Sequence, residues 1–214
     1  MDIIQEYWSL FMSGASYTVR LAFFSVLISL PIGAIFALMR ISNNKLLNNF
    51  ARIYVEIIRG TPLLVQIYIV YFGLPMMGIY LDDFVSAVLA ITINSVAYMS
   101  EIIRSGIQSI NKGQMEAGRA LGLPRWTVYT KIIFPQAFKN IIPTIGNEFA
   151  VLIKETSIVS VLGIKDLMFA SDTVRGATYT TFTPLLFTAL IYFILTFTIS
   201  QGMNALERRL ARSN

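Results

Sequence analysis

Charged side chains fall where the surrounding sequence is almost wholly apolar. Glu101 and Arg104 close the stretch DFVSAVLAITINSVAYMSEIIR, and Glu148, Lys154 and Glu155 interrupt FKNIIPTIGNEFAVLIKETSIVS. An ionisable group in such a setting is costly to bury, so each is a candidate for binding a polar cargo or for tying one helix to another. Asn94, Tyr98 and Glu101 are spaced i, i+4, i+7 and share one helical face, as do Thr144, Glu148 and Glu155 on another. Gly60-Thr61-Pro62 breaks a third apolar run and exposes backbone groups there, with Gln66 one turn later. Asn94, Tyr98, Glu101, Glu148, Glu155, Gln66 and Thr61 are therefore the candidate cargo-binding set. Glu56 with Arg59, and Glu101 with Arg104, are also i, i+3 pairs that can neutralise one another. The acids Glu56, Glu101, Glu148 and Glu155 face the bases Arg59, Arg104 and Lys154. That surplus acid attracts a cation. A different chemistry is also open, because helical spacing lets Lys154 approach Ser157, with Ser160 nearby, as an activated serine nucleophile. The chain has no His and no Cys. Thiol catalysis, disulfides, zinc fingers and His-based triads are excluded.

These residues need membrane-spanning elements to position them. Of 214 residues, 55% are hydrophobic and only 14% charged, where a soluble domain carries about 25% charged. Mean hydropathy is +0.64. Five stretches reach the roughly 20 apolar residues a spanning helix needs: Tyr17 to Met39, Ile53 to Met77, Asp83 to Gly106, Phe138 to Ser160 and Thr183 to Met203. The expected fold is all-α, a single membrane domain over 1–214. Ile3, Ile4, Tyr7, Trp8 and Phe11 fall on one face, which suggests a helix over 1–14 lying in the outer interface. Counted along the helices, Asn94 and Glu148 lie near the midplane.

Twelve of the 17 Lys and Arg residues fall in 40–52, in 104–139 and after Met203. Basic loops face the cytoplasm, which places the N-terminus outside and the C-terminus inside. The net charge of +5 thus reports orientation in the cell membrane, with lipid and not nucleic acid as the partner.

The segment 104–139 is longer than a simple connection. GQMEAGRAL favours helix, Gly122 is a natural stop, and Pro124 prevents continuation. A second helix begins near Arg125 and is expected to break at Pro135. Two short helices then meet at a Gly-Leu-Pro corner on the cytoplasmic side.

Those residues carry a resemblance. Glu116, Ala117, Gly118, then Gly122, then Ile132-Ile133-Phe134-Pro135 follow the Glu-Ala-Ala, Gly, Ile-x-Leu-Pro spacing of the membrane subunits of ATP-binding cassette importers. Gly118 stands in place of the second Ala, and Phe134 in place of Leu. YVEIIRGTPLLVQIYIVYFGLP, AYMSEIIRSGIQSINKGQMEAGRALGL and LIKETSIVSVLGIKDL resemble the polar amino acid branch, the histidine, glutamine and arginine uptake systems. The resemblance implies the type I importer fold, with Glu116, Ala117, Gly118, Arg119, Gly122 and Pro135 forming a coupling helix and its exit. It implies ATPase subunits, a second permease copy or a paralogue, an extracytoplasmic amino-acid-binding protein and an amino acid as cargo. No GxxxxGK[ST] phosphate loop is present, so ATP and Mg would be bound, and hydrolysis performed, by the partner ATPase. The acid surplus favours arginine, lysine or histidine over glutamine as the cargo.

Overall fold

The computed structural model describes residues 2–211, all helices and connections with no strand among the described residues. α1 (Asp2–Glu6) leads into α2 (Trp8–Ile41), a 34-residue helix of about 51 Å. It is followed by α3 (Lys45–Arg59), α4 (Leu63–Met76) and α5 (Asp83–Gln108). α6 (Lys112–Ala120) and α7 (Arg125–Val128) form a hairpin. A π-helical turn, Tyr129–Ile133, then joins α7 to α8 (Phe134–Glu155). A 3₁₀ segment, Thr156–Leu162, precedes α9 (Leu167–Thr178) and α10 (Phe182–Ala211).

α2, α5 and α10 are long and apolar enough to cross a membrane, and the bent pair α3–α4 has the combined length and composition of a broken span or a re-entrant loop. Their apolar side chains are not confined to one stripe. Phe23, Leu27 and Ile35 on α2 and Phe193, Ile194 and Phe197 on α10 stand exposed, an arrangement suited to lipid rather than water. α8 is 22 residues, about 33 Å, but carries Lys139, Glu148, Lys154 and Glu155. Its length is that of a membrane passage, but its charges depart from the apolar composition of one.

Three differences from the sequence reading have clear causes. Among the described residues, the helix expected over 1–14 is not a separate one: only Asp2–Glu6 is distinct, and Trp8 to Gly14 are the first turns of α2. Phe11 and Ala15 are buried there with Leu167, Val174 and Ile191, and Phe11 meets Phe187 edge-on at 5.0 Å. Packing against α9 and α10 therefore holds these turns in line. The passage expected over Ile53 to Met77 is two helices bent by 102°. Pro62 lacks an N–H and excludes Thr61 from the helical region, so α3 stops and α4 restarts in a new direction. Finally, Pro135 breaks nothing. The π turn shifts the hydrogen bonding so that the Phe134 N–H bonds the Tyr129 carbonyl, and Pro135 enters the first turn of α8, where its missing N–H costs little. Arg125 to Glu155 is thus continuously helical, with Pro143 inside α8 leaving one main-chain hydrogen bond unmade.

Three buried clusters stack along α2. Phe11 and Ala15 belong to the one at the α9 end. Leu21 and Ala22 join Ile91, Leu152 and Ile153 in the middle. Ala37 joins Ile103, Val128 and Ile141 at the hairpin end. α2 and α5 approach closely because Gly33 faces Met99, where a Cβ would lie 2.6 Å from the Met99 Cβ. Ser29 and Ser95 exchange a buried hydrogen bond of 2.9 Å at the same contact. Small residues and hydroxyls of this kind replace the missing hydrophobic drive between helices in lipid.

Between the spans, Asp166 is fully buried. It caps α9 by accepting the Phe169 N–H at 2.8 Å, and it accepts the Tyr192 hydroxyl at 3.2 Å. Burial pushes its carboxyl up to about 6, against the lowering effect of those bonds. The Leu167 N–H donates to Thr18 at 3.1 Å, so α9 is pinned to both α2 and α10.

Candidate functional site

The candidate residues fall into three groups. The first is the elbow between α3 and α4. Gln66 is 6% exposed and Asn94 4%, so neither amide is free to stay unbonded. The Asn94 Nδ2 donates to Gln66 Oε1 at 3.0 Å. The Gln66 Nε2 lies 2.7 Å from the Ile58 carbonyl, 3.1 Å from the Thr61 carbonyl and 2.9 Å from Thr61 Oγ1. Thr61 Oγ1 in turn donates to the Ile57 carbonyl at 3.0 Å. One side-chain amide therefore gathers the carbonyls freed by the break and fixes the elbow to the middle of α5.

The second group lies closer to the hairpin. Tyr98 and Glu101 line a cavity of about 470 Å³ with Arg40, Glu56, Arg59 and Gly60. Glu101 pairs with Arg104 at 2.8 Å, as the i, i+3 spacing allows, and also with Arg40, while Arg59 stands 3.8 Å away. Arg59 packs over the Tyr98 ring at 5.5 Å. The expected pairing of Glu56 with Arg59 is not made. Glu56 takes Arg52 at 2.8 Å, one turn earlier on α3, and Arg59, freed, turns to Glu101. Counting Arg40 and Arg52, the acids of the whole set are no longer in surplus.

The third group is on α8. Glu148 and Glu155 are partly buried, and among the described residues neither has an ion-pair partner. The two candidate carboxylates without an ion pair are thus both on this helix, which also carries Lys139 and Lys154. Thr144 and Lys154 are exposed. The Ser157 hydroxyl donates to the Lys154 carbonyl, and the Ser160 hydroxyl to the Ser157 carbonyl, both at 2.7 Å. Those hydroxyls are committed to backbone, and no serine–lysine pair is assembled. Among the described residues, no cluster of ligating side chains could hold a metal ion.

The hairpin is the remaining candidate. Asn111 caps α6 through the Gly113 N–H at 2.8 Å. At the other end the Gly122 N–H bonds the Arg119 carbonyl at 3.0 Å and the Leu123 N–H the Gly118 carbonyl at 3.1 Å. With Gly122 at φ 79, this is the Schellman stop, whose left-handed residue is usually glycine. Glu116, Ala117 and Arg119 are exposed, and Arg119 reaches back to the Leu123 carbonyl at 3.1 Å.

The family model for the inner membrane component of binding-protein-dependent transport systems matches residues 29–212. The chain belongs to this family. The permease is 42% identical over 200 residues to the arginine transport system permease protein ArtQ of Bacillus subtilis (strain 168), with 93% of this chain and 91% of the relative covered. It is 40% identical over 213 residues to the probable glutamine ABC transporter permease protein GlnM of the same organism, covering 100% and 99%. A crystal structure of an amino acid ABC transporter with histidines superposes on it with a TM-score of 0.92 at 44% identity, over 96% of each chain. The inward-facing MetNI methionine ABC transporter shares the fold, with a TM-score of 0.78 at 19% identity over 94% of this chain and 96% of that one.

The departure at Gly118 now has a cause. A Cβ there would lie 2.6 Å from Val128 Cγ2, so glycine lets α6 of the permease pack directly on α7. Gly118→Ala gains up to about 1 kcal/mol of helix propensity but overpacks a close contact, at about 1–3 kcal/mol. The expected net result is a looser hairpin, read as faster amide exchange over residues 112–133. Adding Val128→Ala should restore protection. A tighter hairpin in Gly118→Ala alone would show that Val128 does not require the glycine.

Proposed function

We propose that the permease is the membrane subunit of an ABC importer that carries a basic amino acid, such as arginine, lysine or histidine, into the cytoplasm. A separate ATPase subunit binds ATP and Mg and docks on the α6–α7 hairpin through Glu116, Ala117 and Arg119. An extracytoplasmic amino-acid-binding protein delivers the cargo, and a second permease copy or paralogue completes the passage. The basic segments face the cytoplasm, with the N-terminus outside.

The observation that carries the choice of cargo is the unpaired carboxylate pair of α8. Glu148 and Glu155 make no ion pair among the described residues, whereas Glu101 and Glu56 do. A carboxylate held in apolar surroundings gains most from a cation, and a guanidinium or ammonium side chain supplies one. Thr61, Gln66 and Asn94 shape the route by holding the elbow. A relative named for arginine supports this reading. The relative named for glutamine favours the second reading, a neutral polar cargo. The two separate in the purified complex with its binding protein. Arginine, lysine or histidine should stimulate ATP hydrolysis well above glutamine. Equal or greater stimulation by glutamine would select the second reading.

A further inference from the structure

The cavity beside Glu101 carries an excess of positive charge. Arg40, Arg59 and Arg104 all converge on a single free carboxylate, Glu101. Glu56 also lines the cavity, but its carboxylate is engaged by Arg52. Three guanidiniums against one acid leave an excess of two positive charges. They sit near the end of α5 that leads through Gln108 into the α6 cap. Guanidiniums stay charged at every accessible pH, so the excess cannot be relieved by losing a proton. A neutral zwitterion would leave it untouched. A phosphate oxyanion would offset it, and the fork of an arginine matches a phosphate in geometry.

The source of such an anion is set by what adjoins the cavity. Val55, Glu56 and Arg59 of α3 form one wall. The same helix presents Phe50, Ile53 and Ile57 outward, each more than half exposed. Arg59 itself is 47% exposed, against 16% for Arg40, so the charge is open on the side of that apolar surface. A charged mouth next to an apolar flank fits a molecule with an anionic head and acyl chains. We propose that this cavity seats the phosphate headgroup of an anionic phospholipid from the leaflet on the hairpin side, with its chains along α3. The headgroup would complete the ion cluster that joins α2, α3 and α5 at the elbow.

The inference does not depend on the cargo and is tested apart from it. The purified full-length permease with its partner subunits is transferred to mixed micelles of phosphatidylglycerol and phosphatidylcholine, and retained lipid is measured by native mass spectrometry. The wild type should retain phosphatidylglycerol preferentially. Arg59→Gln should lower that preference by at least tenfold, while Arg59→Lys should keep most of it. Glu101→Gln should raise it, because removing the one free acid increases the positive excess. That rise is not what a purely structural role for the ion pairs would give. Unchanged preference in Arg59→Gln, or a fall in Glu101→Gln, would overturn the proposal. So would binding of inorganic phosphate with no phosphatidylglycerol retained, which would assign the arginines to a free anion instead.

Discussion

Gly122→Val is expected to abolish uptake while leaving the permease inserted and folded in the membrane. Gly122 holds φ 79, where a residue with a Cβ pays on the order of 1–2 kcal/mol and a β-branched one more. No atom lies within 4 Å of where its Cβ would be, so the whole effect is conformational, not a packing clash. The chain escapes the strain by unwinding the Schellman stop, and α6 then leaves the direction in which Glu116 and Arg119 project. The ATPase contact should weaken and uptake in vesicles fall by at least about tenfold, the equivalent of roughly 1.4 kcal/mol. Gly122→Asn is the control, since asparagine tolerates the left-handed region, and it should keep most activity. Full uptake and normal ATPase co-purification in Gly122→Val would mean that the hairpin covers the bundle without coupling it.

Glu148→Gln is expected to cut the affinity for arginine by about 10- to 100-fold, as the loss of a charge-assisted bond of roughly 1.5–3 kcal/mol implies. Stability should not suffer, because removing a charge from an apolar helix lowers the cost of burying it. Glutamine transport, where present, should be unaffected or improve. The double variant with Glu155→Gln should lose response to basic amino acids almost completely. Concentration dependence of ATPase stimulation by arginine reads both effects. An unchanged half-maximal arginine concentration in the double variant would place the cargo elsewhere.

The contrast between these two sites follows how much of each is local in sequence. Gly122 was legible because a helix stop is decided by residues within one turn of it. α2, α5 and α10 were legible because continuous apolar stretches are measured along the chain. The Gly60-Thr61-Pro62 break was visible for the same reason, but its 102° angle was not, since the angle depends on Gln66 reaching Asn94 on another helix. Glu101 with Arg104 was readable from spacing, whereas Arg40 and Arg59 come from elements 61 and 42 residues away in sequence. Glu56 had Arg52 at i−4 and Arg59 at i+3. Competition from Glu101 for Arg59 made the choice, and no local rule contains that competitor. At Pro135 the local rule itself misled, because a proline is tolerated in a first helical turn and a π turn supplies one.

That π turn has a mechanical meaning. From Arg125 to Glu155 the backbone passes from the hairpin into α8 without leaving the helical conformation. α6 grips the near end of this shaft where Gly118 seats against Val128, and Glu148 and Glu155 stand toward its far end. A rotation imposed on the hairpin therefore has a continuous helical path to both carboxylates, weakened at Pro143 inside α8. The extra residue held in the π turn sets the angular phase between them, about 100° for each residue added to or taken from a helix. The direction in which the acids point is fixed, through one helical shaft, by the direction in which the hairpin is held.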